Sequence, residues 1–159
     1  MKKSKVKSYN SAVENTFVVN EPTAYYVANI PTPIHVLTSF EKMQIIRRGI
    51  SKRYLESLKK TTALDYTSLA DALLVTRATL INKKGDEKFN DQVSERIFSI
   101  ADLYAYGYEV FEDKDRFNQW MFSPNQALGG EVPFSLINNQ YGREEIKNLI
   151  GRIAYGVYS

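Results

Sequence analysis

The stretch YTSLADALLVTRATLINKKG, Tyr66 to Gly85, decides the reading of this 159-residue chain. Leu69, Ala70 and Leu73 recur at helical spacing, Leu74, Val75 and Thr76 form a tight connection, and Ala78, Leu80 and Ile81 supply the apolar positions of a second short helix. Two helices that cross closely need a small residue in the first, and Ala70 supplies it. Ten residues on, Leu80 is the expected buried anchor of the second helix and Thr76 its N-cap. The pattern predicts a helix-turn-helix. It leaves Arg77, Thr79, Asn82, Lys83 and Lys84 pointing away from the core, and these are residue types that contact bases and phosphates. One position departs from the pattern: the turn residue often taken by Gly, where a positive φ is comfortable, is Leu74. Short amphipathic helix pairs also occur in all-α domains that never meet DNA, and the residues alone leave both readings open.

Upstream, Phe40, Met43 and Ile46 are spaced by three, and Arg47, Arg48 and Gly49 close a short helix. Ser51 is the N-cap of the next, which is expected to turn Tyr54, Leu55 and Leu58 inward and Lys52, Arg53, Lys59 and Lys60 outward, ending near Ala63. Residues 1–38 are polar and irregular, with Pro22, Pro31 and Pro33 breaking short apolar pieces, and read as an arm able to form one short strand or to pack across a neighbour.

Downstream, a helix is expected from Ser94 to about Phe111, with Ile97, Ile100, Ala101, Tyr104 and Tyr108 on one stripe, an aromatic stripe better suited to a core than to a stacking platform. Asp113 caps a short helix carrying Phe117, Trp120 and Met121, and the turn chemistry of SPNQALGGEVP, Ser123 to Pro133, then reorients the chain. Gly129 and Gly130 lack the spacing, the following Lys and the strand context of a phosphate-binding loop. A last helix from about Gly142 to Tyr155 carries Ile146, Leu149, Ile150, Ile153 and Val157 at spacings of three and four, followed by a short tail to Ser159. The expected architecture is all-α: an irregular N-terminal arm (1–38), a small helix-turn-helix domain (39–91) and a second helical domain (92–159).

Composition restricts the chemistry. The chain has no Cys and a single His, so disulfides, thiolate metal sites and cysteine nucleophiles are absent, and any imidazole base has to be His35. His35 sits in the proline-broken arm, and Glu144 with Glu145 lie at a helix start where they favour the helix dipole. We therefore expect no enzyme, no catalytic residues, no metal and no cofactor. The net charge of +3 is split: residues 1–91 hold 15 Lys or Arg against 9 Asp or Glu, and residues 92–159 hold 6 against 9. A basic front and an acidic back fit one part that meets polyanions and another that meets something else. The basic start lacks the apolar region of a secretion signal, and no apolar run approaches the roughly 18 to 20 residues that span a bilayer. A cytoplasmic protein without a membrane partner is expected.

The C-terminal part from Ser94 to Ser159 resembles the toxin-binding domain shared by the Xre, MbcA and ParS antitoxins. The resemblance runs through the Trp120 segment, the P-N-x-A-L-G-G turn at Pro124 to Gly130, the Pro133-x-x-Leu136 helix start and the closing Gly151-Arg152-Ile153-x-x-Gly156-Val157 signature. The segment from about Gly49 to Lys84 is similar to the Xre-type helix-turn-helix of the same antitoxins. Two departures stand out: Gln126 replaces the usual second Pro of the turn, and the recognition helix carries fewer Arg than in many relatives. The resemblance implies a type II antitoxin that holds a RES-domain, NAD-consuming toxin in a hetero-oligomeric complex and blocks its nucleotide pocket with the C-terminal end. It also implies a homodimer that binds operator DNA and represses its own operon. Carried onto this chain, the toxin-binding element comprises Gly151, Arg152, Ile153, Tyr155, Gly156, Val157, Tyr158 and Ser159, and the DNA-reading set Thr76, Arg77, Thr79, Asn82, Lys83 and Lys84. The competing expectation is a stand-alone helix-turn-helix repressor whose C-terminal domain only dimerises.

Overall fold

The computed structural model describes Ile34 and residues 37–156; the expectations for the rest of the arm, His35 included, and for Val157, Tyr158 and Ser159 fall outside these. Eight α-helices follow one another: α1 (Ser39–Arg47), α2 (Lys52–Thr62), α3 (Tyr66–Leu73), α4 (Arg77–Asn82), α5 (Asp91–Phe111), α6 (Lys114–Met121), α7 (Pro133–Leu136) and α8 (Gln140–Ala154). A single 3-10 turn, Gln126–Leu128, interrupts the stretch between α6 and α7. The described residues contain no strand, only an isolated antiparallel bridge between Ser51 and Lys88. The fold is all-α, a helix-turn-helix domain followed by a C-terminal helical domain.

Helix starts are set by local chemistry. Thr38, Ser51, Asp65, Thr76, Asn90, Asp113 and Asn139 each accept a backbone N–H of the first turn through a side-chain oxygen, and Thr38 with Glu41 completes a capping box. The cap at Asn90 starts α5 a turn before Ser94. Ser94 itself is buried, accepting from the Ile50 N–H at 2.9 Å and donating to the Phe89 carbonyl at 3.2 Å. The cap at Asn139 likewise starts α8 two residues before Gly142. Gly142 packs so close to the preceding turn that a Cβ there would lie 1.9 Å from the Leu136 carbonyl oxygen.

The long helix α5 organises the core. It packs against α1, α2 and α3 on the N-terminal side and against α6 and α8 on the other. Ile97, Ile100, Ala101, Tyr104 and Tyr108 are all buried, so the aromatic stripe is core. Tyr104, Tyr108 and Phe117 meet edge to face with ring centroids 5.4 to 5.8 Å apart. At Gly107 α6 comes closest, and a Cβ there would lie 2.1 Å from the Phe117 ring. Ile34, near the end of the arm, is buried in the same core.

Two expectations about faces need correction. In α1 the buried residue is Ile45, and Phe40 is 64% exposed with Met43 also exposed. The seam toward α5 runs through Lys42 and Ile45, because Lys42 reaches the buried Asp102 carboxylate on α5 at 3.1 Å. In α2, Lys52 is not on the outer face: it is only 6% exposed, and the cause lies in the helix-turn-helix itself.

Candidate functional site

The helix-turn-helix is closed by cations from outside it. A short helix leaves its last carbonyls without intrahelical partners. At the end of α3 the Arg96 guanidinium donates to the Leu73 carbonyl at 3.0 Å, and at the end of α4 the Lys52 ammonium donates to the Leu80 carbonyl at 2.6 Å. Lys52 also ion-pairs with Glu56 at 2.6 Å and donates to the Tyr66 hydroxyl, which in turn donates to Glu56. Burial pulls the Lys52 pKa down, but the hydrogen bonds to Glu56 and Tyr66 outweigh it and leave the pKa raised. These two cations are positioning residues, and neither stood out in the sequence as more than surface charge. For Lys52 the spacing to Glu56 was the one available signal.

Between α3 and α4 the chain makes a Schellman turn: the Val75 N–H donates to Ala70 O at 3.0 Å and the Leu74 N–H to Asp71 O at 3.3 Å. Its left-handed residue is Leu74, with φ +55° and ψ +46°. The position that departs from Gly in sequence is therefore one where the backbone wants Gly, and a β-carbon there costs about 1–2 kcal/mol.

Past the turn, Thr76 caps α4 as expected, its hydroxyl accepting the Thr79 N–H at 3.1 Å and lying 2.9 Å from the Thr79 hydroxyl. Arg77, Thr79, Asn82 and Lys84 are exposed along one short element, and Lys83 is half-buried with its ammonium 5.5 Å from the Phe89 ring centre. All six expected reading residues thus gather on α4 and its edges. Leu80 is fully buried, but Ala78 and Ile81, expected as apolar anchors beside it, face solvent. A helix of six residues touching the core by one face has room for one anchor.

The second candidate surface is the end of α8. Gly151, Arg152 and Ile153 are half-buried, and Tyr155 is 86% exposed. Arg152 ion-pairs with Glu145 at 3.1 Å. Gly156 turns the chain with φ +66°, its N–H donating to the Ile153 carbonyl. Gly151 has room to spare: a Cβ would meet only the Tyr106 hydroxyl, at an ordinary 3.4 Å. Beside Ile153 opens a cavity of about 490 Å³ lined by Phe111, Trp120, Leu149 and Ala127, with Arg116 at its wall. The described residues bring Gly151, Arg152, Ile153, Tyr155 and Gly156 together here. The two surfaces belong to different elements: α5 packs directly against α8, which carries one, and against α3, on which α4, the carrier of the other, is packed.

Comparison with known proteins follows this division. Residues 41–102 match the antitoxin Xre-like helix-turn-helix domain, and residues 107–156 match the antitoxin Xre/MbcA/ParS C-terminal toxin-binding domain. An Antitoxin Xre of Photorhabdus laumondii is 36% identical over 76 residues, covering 47% of this chain and 51% of that protein, so this match spans about half the relative's length. An Antitoxin Xre of Yersinia enterocolitica is 28% identical over 116 residues, covering 72% of this chain and 78% of its own, and one of Pseudomonas putida is 22% identical over 119 residues, covering 75% and 74%. No helix among the described residues is long and apolar enough to cross a membrane. With both domains matched in chain order and one all-α fold carrying them, this chain belongs to the Xre/MbcA/ParS family of antitoxins.

Proposed function

We propose that the chain is the antitoxin of a type II toxin–antitoxin pair, acting in the cytoplasm without cofactor or catalytic residues of its own. The end of α8 enters the nucleotide pocket of a RES-domain, NAD-consuming toxin through Gly151, Arg152, Ile153, Tyr155 and Gly156, continued by Val157, Tyr158 and Ser159. The observation that carries this half is Gly151. Glycine inside a helix costs about 1 kcal/mol relative to alanine, and here nothing among the described residues demands it. A glycine kept under those conditions supports close approach by another molecule. The neighbouring cavity offers a recess for a partner side chain, with Phe111, Trp120, Leu149 and Ile153 as its apolar part and Arg116, Gln119, Ser123, Asn125 and Gln126 as its polar part.

The second half of the function is autorepression. Two chains present α4 to operator DNA, with Arg77 and Asn82 on base edges and Lys83 and Lys84 toward phosphates, and the same dimer joins the toxin in a hetero-oligomer. Exposure of Thr76, Arg77, Thr79, Asn82 and Lys84 on α4 and its edges, with Lys83 half-buried beside them, supports this reading.

The test is co-expression with the product of the adjacent gene, co-purification, and an NAD-consumption assay on the complex and on the released partner. Turnover absent in the complex and restored on release is the expected result. Failure to form a complex, with operator binding intact, would replace this reading by a stand-alone repressor whose C-terminal domain only dimerises.

A further inference from the structure

The outward face of α4 is partly apolar. Ile81 is 46% exposed and Ala78 is exposed one turn before it, so the two share one face, and Leu74, 56% exposed, precedes them in the turn. Core packing does not account for them, since Leu80 alone anchors the helix. The charge carried by this stretch points to what covers it, the acidic Asp65 beside Arg77 lying outside it. From Leu74 to Gly85 the sequence contains Arg77, Lys83 and Lys84 and no acidic residue, so the occupant is a polyanion that also presents apolar groups. Duplex DNA meets both demands, because the one apolar group on a base edge in the major groove is the C5-methyl of thymine.

We infer that Ala78 and Ile81 read thymine methyl groups, so that the operator half-site carries thymine beside the bases bonded by Arg77 and Asn82. Arg77 and Ile81 are four residues apart, as are Ala78 and Asn82, so each apolar residue neighbours a hydrogen-bonding one on the helix surface. Polar contacts then select a base by its donors and acceptors, and the methyl contacts separate thymine from cytosine at adjacent positions. This assignment rests on the DNA-binding half of the proposed function.

The experiment uses the full-length chain and a duplex from upstream of its own gene, with the protected half-site first mapped by footprinting. Each thymine of the half-site is then replaced singly by deoxyuridine, which removes the methyl and leaves base pairing intact. Loss of one buried methyl-sized contact corresponds to about a fourfold weakening. That loss is expected at two positions, and it should vanish at one of them in Ala78→Ser and at the other in Ile81→Ser, which leaves no methyl on either side chain. Undiminished affinity for every deoxyuridine duplex overturns the inference while leaving DNA binding standing. Equal losses in the wild type and both variants also overturn it, by assigning the effect to the DNA alone. Absence of any protected site removes both the inference and the DNA-binding reading.

Discussion

The Lys52 ammonium lies 2.6 Å from the Leu80 carbonyl oxygen, so a side chain at the start of α2 caps the end of α4. Leu80 is also the anchor of α4, and the one residue thus ties the recognition helix by its side chain to the core and by its backbone to Lys52. Replacing Lys52 by Met retains the aliphatic stem but leaves that carbonyl without its donor. A buried acceptor left unpaired costs about 1–3 kcal/mol. We expect Lys52→Met to lower thermal stability accordingly and to weaken operator binding, although Lys52 itself is buried. An unchanged melting temperature together with unchanged operator affinity would show that α4 is held without it.

The same cluster sets a pH dependence. Burial pushes the Glu56 carboxyl up, but hydrogen bonds from Lys52 and Tyr66 outweigh it and hold the pKa below the ordinary carboxylate value of 4.5. A carboxyl lowered by folding contributes stability above its unfolded pKa and loses it as pH falls through the folded value. Glu56→Gln should therefore unfold at a lower temperature than the wild type at neutral pH. The gap should narrow as the pH drops below the ordinary carboxylate range. Lys52, raised from 10.5, keeps its contribution until the solution becomes more alkaline than an ordinary lysine tolerates. Melting curves of both proteins across pH 3 to 7 check the acid limb, and a gap constant over that range would remove Glu56 from the balance.

Three helices end on a left-handed residue that is not Gly: Ala63 after α2, Leu74 after α3 and Glu112 after α5. Ala63→Gly should raise stability by about 0.5–1 kcal/mol, the relief of about 1–2 kcal/mol of backbone strain less the added entropy of the unfolded chain. Leu74→Gly should gain less, because the covered part of the leucine side chain is lost as well. Chemical denaturation of the two variants in parallel gives the order directly.

How far the sequence showed this in advance follows from the range of each interaction. Ser51, Thr76 and Asp113 are caps that act within three residues, so the helix starts they govern can be read locally. The Tyr104 and Tyr108 stripe is legible because α5 is long enough for its period to declare a buried face. Lys52 is different: its burial depends on α4 passing beside it, a contact across 28 residues. Ala78 and Ile81 were misplaced because six residues carry too little periodicity to separate an anchor from an exposed apolar side chain. The toxin-binding role proposed for the end of α8 came from resemblance, since nothing in its spacing distinguishes a docking helix end from a frayed one.

Gly107 and Gly151 differ in what a methyl group would meet there. Alanine at 107 would drive its methyl into the buried Phe117 ring, and overpacking of this kind costs about 1–3 kcal/mol. Alanine at 151 meets only an ordinary contact and gains helix propensity. Gly107→Ala should lower the melting temperature with toxin neutralisation reduced only as far as folding is lost. Gly151→Ala should keep or raise the melting temperature while weakening the complex. Full neutralisation by Gly151→Ala would mean that no partner backbone approaches this turn of α8.

Asp102 joins the two halves of the molecule. Its buried carboxylate accepts from Lys42 of α1 and from Lys147 of α8, and both lysines remain partly exposed. Removing one lysine leaves the carboxylate paired with the other, and the remaining stem can still place its ammonium at the surface. Lys42→Met and Lys147→Met should therefore each cost little, about 1 kcal/mol or less, in the range of partly exposed pairs. The double variant is another matter, because an uncompensated buried carboxylate costs about 3–5 kcal/mol. We expect the double loss to exceed the sum of the singles by well over 1 kcal/mol, the signature of a shared partner. Asp102→Asn, which removes the charge but keeps an acceptor, should fall between the single and double lysine variants. Urea denaturation of the four proteins and the wild type completes the cycle. Strict additivity of Lys42→Met and Lys147→Met would show that the two lysines do not depend on one carboxylate, and would leave the apolar packing of α5 against α1 and α8 to hold the halves together.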